Sequence, residues 1–405
     1  MRIVLKTRVF ALFFLILACF ILVIAGCWSR HELNTLAIVS GVGIDQSEAD
    51  QEQVRVTVQI IKPGGLSTPS GRGGGGVGGG GGGNAYLNFS NTAETTFDAI
   101  REFTHVVNRK LYFSHSKVLV ISQEIAEKGV RRHLDLFFRD QEPRLTSWVV
   151  VVKGKAEEVF TTKAEIEQIP AMNIAQMIDA RGATSEIGVA NINDFMCRLM
   201  CKCTAPIATL LEVKESGTEK IAELTGTAVF KRDKMVGFFD KAESRGLLWV
   251  LGEVKSGIII VPDPKGEGKV SLEIIQAKGK IVPEGKNGSP EIMVKISAEG
   301  NLGSQMSDQD LTETAAWKSL EKGMARAIEN EVNASVKKAQ KLKADVFEFG
   351  DMMHKKQPFL WKELEPQWEE IFPELKVNVM VEAKLRGSGL IRKPASPEAG
   401  YNDAT

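Results

Sequence analysis

Apolar positions along this chain recur with three spacings, and each predicts a different element. The earliest is continuous: Val9 to Ile24 carries no charge and follows Arg2, Lys6 and Arg8. It is shorter than the roughly 20 residues that cross a bilayer as a helix, and no second apolar stretch of that length follows. A spacing of two appears at Val54, Val56, Val58 and Ile60, which predicts a half-buried strand over 54–61. From Lys62 to Gly83 the chain turns to proline and then almost pure glycine, a coil that cannot bury a core and that spans two neighbouring strands. An extended pattern resumes around Tyr86 and Phe89. A helical spacing follows over Thr92 to Asn108, with Thr92 as cap and Phe97, Ile100, Phe103, Thr104 and Val107 on one face.

Beyond it the pattern predicts a strand at Lys117 to Ser122, a helix at Ile125 to Phe138, and a buried strand at Trp148 to Val152. Helices follow at Ala156 to Thr161, Pro170 to Ala180 and Asn191 to Met200, with Pro170 suited to a first turn. From Ala205 a strand meander begins: Ile207 to Val213, Ala222 to Phe230 and Met235 to Phe239, the last two joined by a turn at 231–234. A short helix covers Ser244 to Leu251, and Ile258 to Val261 runs into a turn around Asp263. In the last third, Val270 to Val282 and Glu291 to Glu299 form a hairpin in which Ile292, Val294, Ile296 and Ala298 share one face. A long helix at 310–343 carries the stripe Leu311, Ala315, Leu320, Met324, Ile328, Val332, Val336 and Ala339. Steps of mostly four wind this stripe around the helix, so a curved sheet rather than a flat one covers it. Helical Asp345 to His354 and Leu360 to Ile371 lead to a final strand, Lys376 to Arg386. The fold class is α+β with mixed and antiparallel sheets, the last a curved sheet wrapped around a long helix.

The apolar leader acquires meaning from what ends it. Ile24-Ala25-Gly26-Cys27 places small residues before a cysteine, the arrangement of a bacterial lipoprotein signal. Cleavage between Gly26 and Cys27 leaves Cys27 as the first mature residue, its thiol carrying a diacylglyceryl group. Removing residues 1–26 takes away three basic residues and no acidic ones, leaving 48 basic against 51 acidic side chains. Nothing in that balance suggests nucleic acid or a dominant basic patch on anionic lipid. The remaining chain is large for one core and asks for two or three domains.

The usual chemical constellations are incomplete in this chain. Cys197, Cys201 and Cys203 are an odd count within seven residues. One disulfide with a free thiol is compatible with them, whereas zinc lacks a fourth ligand, since no histidine lies nearby. Cys197 and Cys201 share a helix face, so the reading adopted is packing as small hydrophobes. The five histidines, His31, His105, His115, His133 and His354, form no metal-binding spacing. Gly41-Val42-Gly43 lacks a third glycine, and the glycine tract lacks the lysine and hydroxyl of a phosphate loop. His115, between Ser114 and Ser116 before a strand, is the most site-like residue, read as a hydrogen-bonded surface histidine. No catalytic residue, cofactor or metal site is assigned.

Several segments stand in a recognisable order: Cys27-Trp28-Ser29-Arg30-His31-Glu32-Leu33-Asn34, Gly41-Val42-Gly43-Ile44-Asp45, Leu111 to Val120, and Leu134 to Asp140. Together, behind the lipobox, they resemble the Ger(x)C lipoproteins, the C subunits of spore germinant receptors. The resemblance runs to Ile391-Arg392. It implies a three-domain fold, divided here as 27–40 plus 206–264, 41–205 with the glycine-rich loop 62–83, and 265–394, between a leader at 1–26 and a disordered tail at 395–405. It also implies a lipid-anchored subunit on the outer face of the spore inner membrane, with membrane-embedded A and B subunits as partners and the nutrient germinant as an indirect one. Only Cys27 carries over as a functional residue. The rival reading is an exported solute-binding lipoprotein, which needs two doubly wound lobes.

Overall fold

The computed structural model describes residues 10–17, 35–62, 84–164, 166–266, 268–286 and 289–389. Gly26, Cys27, most of the glycine tract and the tail at 395–405 lie outside them. Residues 10–17 are helical, but no helix of the described residues is long and apolar enough to cross a membrane.

One mixed sheet is built from β1 (Leu36–Gln46), β2 (Val54–Ile61), β3 (Tyr86–Ala93), β5 (Val118–Ser122), β6 (Trp148–Lys153), β7 (Ile207–Ser216), β8 (Glu219–Lys231) and β9 (Lys234–Phe239). Their spatial order is β3-β2-β1-β5-β6-β7-β8-β9, and the short β4 (Lys110–Tyr112) pairs with the start of β1. The inner pairs β1/β5, β5/β6 and β6/β7 are parallel. Parallel strands are covered on both faces, and these read accordingly. Leu119, Ile121, Val149 and Val151 enter one core, while Val118, Val120, Val150 and Val152 enter another with Phe160, Ile174 and Ile178.

That double cover changes the reading of β2, which is buried on both faces rather than one. Thr57 and Gln59 are as buried as the valines beside them. Gln59 survives because its amide donates to Asn88 Oδ1 at 3.0 Å and to the Phe160 carbonyl at 3.1 Å, and accepts from Ala171 N at 2.9 Å. The Gly41-Val42-Gly43-Ile44-Asp45 segment has a similar structural cause. A Cβ on Gly41 or Gly43 would lie 2.8 Å from the Phe160 ring, and Asp45 caps the helix that carries that ring, accepting from Ala156 N at 2.6 Å and Glu157 N at 2.9 Å.

The helix expected from Thr92 to Asn108 is shorter. β3 pairs with β2 out to Val54↔Ala93, so the backbone there is committed to the sheet. Helix α1 (Thr96–Glu102) starts afterwards, capped by Thr95, and ends in a single 3-10 turn. The helix expected at Ile125 to Phe138 is two, α2 (Gln123–Lys128) and α3 (Arg131–Arg139), because Gly129 adopts φ +130°. Helices α4 (Ala156–Val159), α5 (Pro170–Asp179) and α6 (Ile192–Met200) follow near their expected places, and α7 (Lys241–Leu251) is closed by a capping box between Asp240 and Glu243.

The second sheet has the order β10-β11-β12-β13, with β10 (Gly257–Pro262), β11 (Lys269–Lys286), β12 (Ser289–Gln305) and β13 (Lys376–Gly387). β12 and β13 are parallel, and the chain between them supplies α8 (Thr314–Leu342), α9 (Phe349–Lys356), α10 (Pro358–Leu364) and α11 (Trp368–Ile371). A bulge at Ile275 bends β11 and one at Gly303 bends β12. The inward residues Leu272, Ile274, Ile292, Val294, Ile296 and Ala298 bury the α8 stripe. Ala315 is not in that stripe. It lies exposed in the first turn of α8, where Ala316 and Trp317 pack instead. Asp345 to His354 is helical only from Phe349, and the stretch at 360–371 is broken by a 3-10 turn containing Pro366.

The two sheets lock through α7 and α8. Arg245, nearly buried on α7, pairs with Glu331 of α8 through two nitrogens and with Glu186 at 3.2 Å, while Trp249 Nε1 donates to Glu331 Oε2 at 3.0 Å.

Candidate functional site

A cleft of about 1230 Å³ lies where the end of α6 and the β8–β9 turn face the α10–α11 region. Its walls are opposite in net charge. Arg131, Lys202, Lys231 and Arg232 stand on one side with Asp233 among them, Glu365, Glu369, Glu370 and Glu374 stand on the other, and Lys343 also lines the cleft. Only part of this charge is paired across the gap: Arg232 donates Nε and Nη2 to Glu369 Oε1 at 3.1 and 2.9 Å, and Lys231 reaches Glu369 Oε2 at 3.1 Å. Exposed pairs of this kind contribute at most about 1 kcal/mol. The cleft presents Met200, 71 % exposed, at its edge.

A smaller cavity of about 70 Å³ shares Cys201, Lys202 and Trp368 with this cleft and is built from two segments far apart in sequence. Arg198, on α6, donates Nη1 to the carbonyls of Ala205 (3.3 Å) and Val346 (3.1 Å), and Nη2 to Glu348 Oε1 (2.7 Å). Opposite, the carbonyl of Asp345 accepts from Ala205 N at 2.7 Å and Thr204 Oγ1 at 3.1 Å. The Asp345 carboxylate is buried and accepts from Phe347 N, Phe349 N, Gly350 N and Trp368 Nε1, at 2.8 to 3.2 Å. Burial raises its pKa to about 6, and the four donors oppose that rise. Gly350 has to be glycine, since a Cβ there would come within 2.5 Å of the Cys203 carbonyl.

The cysteines depart from the expected packing. Cys201 and Cys203 are joined in a disulfide, and Cys197 is free and exposed. Three residues after the helix end, Cys203 is buried against the core and bonds to Cys201 two residues before it. Among the described residues no group of three His, Cys, Asp or Glu side chains is placed to hold a metal.

His115 lies exposed against the Tyr112 ring, centroids 5.6 Å apart. The hydrogen bonds of this region belong instead to Glu142, which accepts from Phe113 N at 3.0 Å and Lys110 Nζ at 3.2 Å, while its carbonyl accepts from Ser114 Oγ at 2.8 Å. The segments around Leu111 and Leu134 meet there. Phe97, Ile100, Leu111, Phe113, Leu136 and Phe137 line a pocket of about 200 Å³. His133, beside it, is buried and held neutral. Its Nε2 accepts from Arg132 Nε at 3.1 Å, so Nδ1 carries the proton toward Thr96 Oγ1. Burial, and then the Arg132 charge, lower its pKa to about 4.

Sequence reasoning missed Arg198, Asp345 and Trp368. A signal existed for Asp345, a carboxylate set inside the apolar run Ala344-Asp345-Val346-Phe347.

Comparison with known proteins decides the family. The model for the N-terminal domain of spore germination proteins matches residues 29–213, and the model described as spore germination B3/GerAC-like, C-terminal, matches residues 225–389. The chain belongs to the GerAC-like spore germination family. Spore germination protein KC of Bacillus subtilis (strain 168) is 30 % identical over 92 % of this chain and 95 % of its own length. Spore germination protein B3 of the same organism is 26 % identical over 94 % and 98 %. The crystal structure of the GerBC protein superposes with a TM-score of 0.56 at 20 % identity, covering 85 % of this chain and 96 % of that one. GerAC-like members are proteins of spore germination, and the α+β architecture here is theirs.

Proposed function

We propose that this chain is the lipid-anchored C subunit of a spore germinant receptor, acting with membrane-embedded A and B subunits in nutrient-triggered germination. The observation that carries the reading is Ala25-Gly26-Cys27 standing directly before a body that matches the germination family along nearly its whole length. Two acyl chains on Cys27 give stable attachment where one gives only marginal binding. The body is thereby confined to the outer face of the spore inner membrane, which raises its effective concentration toward membrane partners. Its role is scaffolding rather than catalysis, and it needs no cofactor. The charge-opposed cleft suits a protein segment, and the nutrient acts through the assembled receptor.

The test is Cys27→Ala in spores. Release of the protein from the inner membrane and loss of germination with the matching nutrient are expected. A variant that leaves the membrane while germination stays normal overturns the anchoring role. Calorimetry of nutrient on the protein addresses the solute-binding alternative, which direct saturable binding would favour.

A further inference from the structure

We propose that Cys197, Cys201 and Cys203 form a three-sulfur exchange site, in which one disulfide moves between the Cys201–Cys203 and Cys197–Cys201 pairings. The structure holds the first pairing, with Cys197 reduced and exposed one helical turn earlier. Cys201 N donates to the Cys197 carbonyl at 3.1 Å, so the two residues stand in the i, i+4 relation of α6. Side chains so related have Cβ atoms about 5–6 Å apart, somewhat wider than the roughly 3.5–4.5 Å of a disulfide. Cys201 is already the cap residue with extended backbone (φ −80°, ψ 135°), so the closing movement falls on the helix end and not on its body.

The step needs no outside oxidant. The Cys197 thiolate attacks Cys201 Sγ, the Cys197–Cys201 bond forms, and the Cys201–Cys203 bond breaks. Cys203 leaves as a thiolate and takes up the proton that Cys197 gave up. Oxidation state is conserved. The released thiol sits 6 % exposed among apolar neighbours, where it packs as a small hydrophobe. Cys201 is half-buried and lines the charged cleft, so the bond under attack is reachable from solvent.

Exchange alters a structural seam. In the observed pairing the disulfide closes the turn from which Thr204 Oγ1 and Ala205 N reach the Asp345 carbonyl. In the alternative pairing that turn is no longer closed by a covalent bond, and its geometry rests on these hydrogen bonds to the 343–350 loop. The site thus gives the turn between α6 and β7 two covalent states.

Trypsin reads the pairing directly, because Arg198 and Lys202 separate the three cysteines onto different peptides. Full-length protein is purified in detergent, equilibrated with glutathione buffer between about pH 6 and 8, blocked with N-ethylmaleimide in acid, and mapped by mass spectrometry. Exchange runs through a thiolate and is faster at higher pH. Both linked peptide pairs are expected in the wild type, with the Cys197–Cys201 link formed sooner as pH rises and absent from Cys197→Ser. A Cys201–Cys203 link alone, with label confined to Cys197 after equilibration at the highest pH, overturns the proposal. Cys203→Ser is expected to form the Cys197–Cys201 bond in oxidised glutathione. Two free thiols in a variant that still melts cooperatively would overturn it too, and should that variant not fold, the wild-type map decides.

Discussion

The two sheets of this protein solve the same burial problem differently. In the first, helices cover both faces, so β5 and β6 read as unbroken apolar runs and even the threonine and glutamine of β2 are buried. In the second, α8 covers one face only. β12 therefore alternates, with Val294 fully buried and Lys295 exposed beside it. The second sheet's uncovered face leaves apolar side chains in water, Ile258 at 47 % and Ile260 at 59 % exposure. A strand's pattern thus reports how many layers lie over it, more than how strongly it pairs.

The junction is where this comparison is most easily broken. Glu331→Ala leaves Arg245 charged and nearly buried, and Trp249 Nε1 without its acceptor. Arg245 keeps its Glu186 pair and its bond to the Ile258 carbonyl, so a loss of about 3 kcal/mol is expected, measured by urea unfolding, the low end for removing one partner of a buried pair. Two separate transitions in the variant would identify the junction as the element that makes the sheets unfold together; a change below about 1 kcal/mol would mean the buried pair is not coupled to folding.

Acid should act on the first region through His133. Its folded pKa of about 4 lies below the ordinary histidine value of 6.5, so the unfolded chain binds the extra proton between those values. Stability from this group is complete above about pH 6.5 and falls as pH drops to 4, by about 3 kcal/mol at most. Asp45 and Asp345, both raised to about 6 by burial, work the other way and gain stability as pH falls from 6 toward 4. The wild type is expected to show a shallow net dependence. His133→Leu should be more stable relative to wild type at pH 4 than at pH 7, read from melting temperatures; an unchanged difference sinks the assignment.

The layer argument itself predicts a pairwise contrast. Val150→Ala and Val151→Ala, on opposite faces of β6, should each cost about 2 kcal/mol, because both side chains leave water completely on folding. On β12, Val294→Ala should cost a similar amount, while Lys295→Ala stays within about 0.5 kcal/mol. The smallest effect is expected for Ile258→Thr on the uncovered face, also within about 0.5 kcal/mol. Equal costs at Val294 and Lys295, by chemical denaturation, would mean that the second sheet is covered on both sides.

Much of this was readable before any coordinates. Alternation at Ile292 to Ala298, the continuous run at Trp148 to Val152, and the stripe from Leu320 to Ala339 each named an element and its buried side. The errors fall where distant chain intervenes. β3 claims residues up to Ala93 because β2 lies beside it, so a helix with good local signals starts later, at Thr96. The cleft was not legible at all, since Arg232 and Glu369 have no local pattern in common and meet only when the β8–β9 turn faces the α10–α11 region.

Local chemistry alone determined the strand and helix periods and the ordered segments by which the family is recognised. These are short-range properties, set by side-chain spacing along a few turns or a few residues. Tertiary structure decided which sulfurs pair, which carboxylates are buried, and which oppositely charged walls face each other. Those outcomes depend on the environment that remote residues create, and an isolated stretch of sequence does not contain that environment.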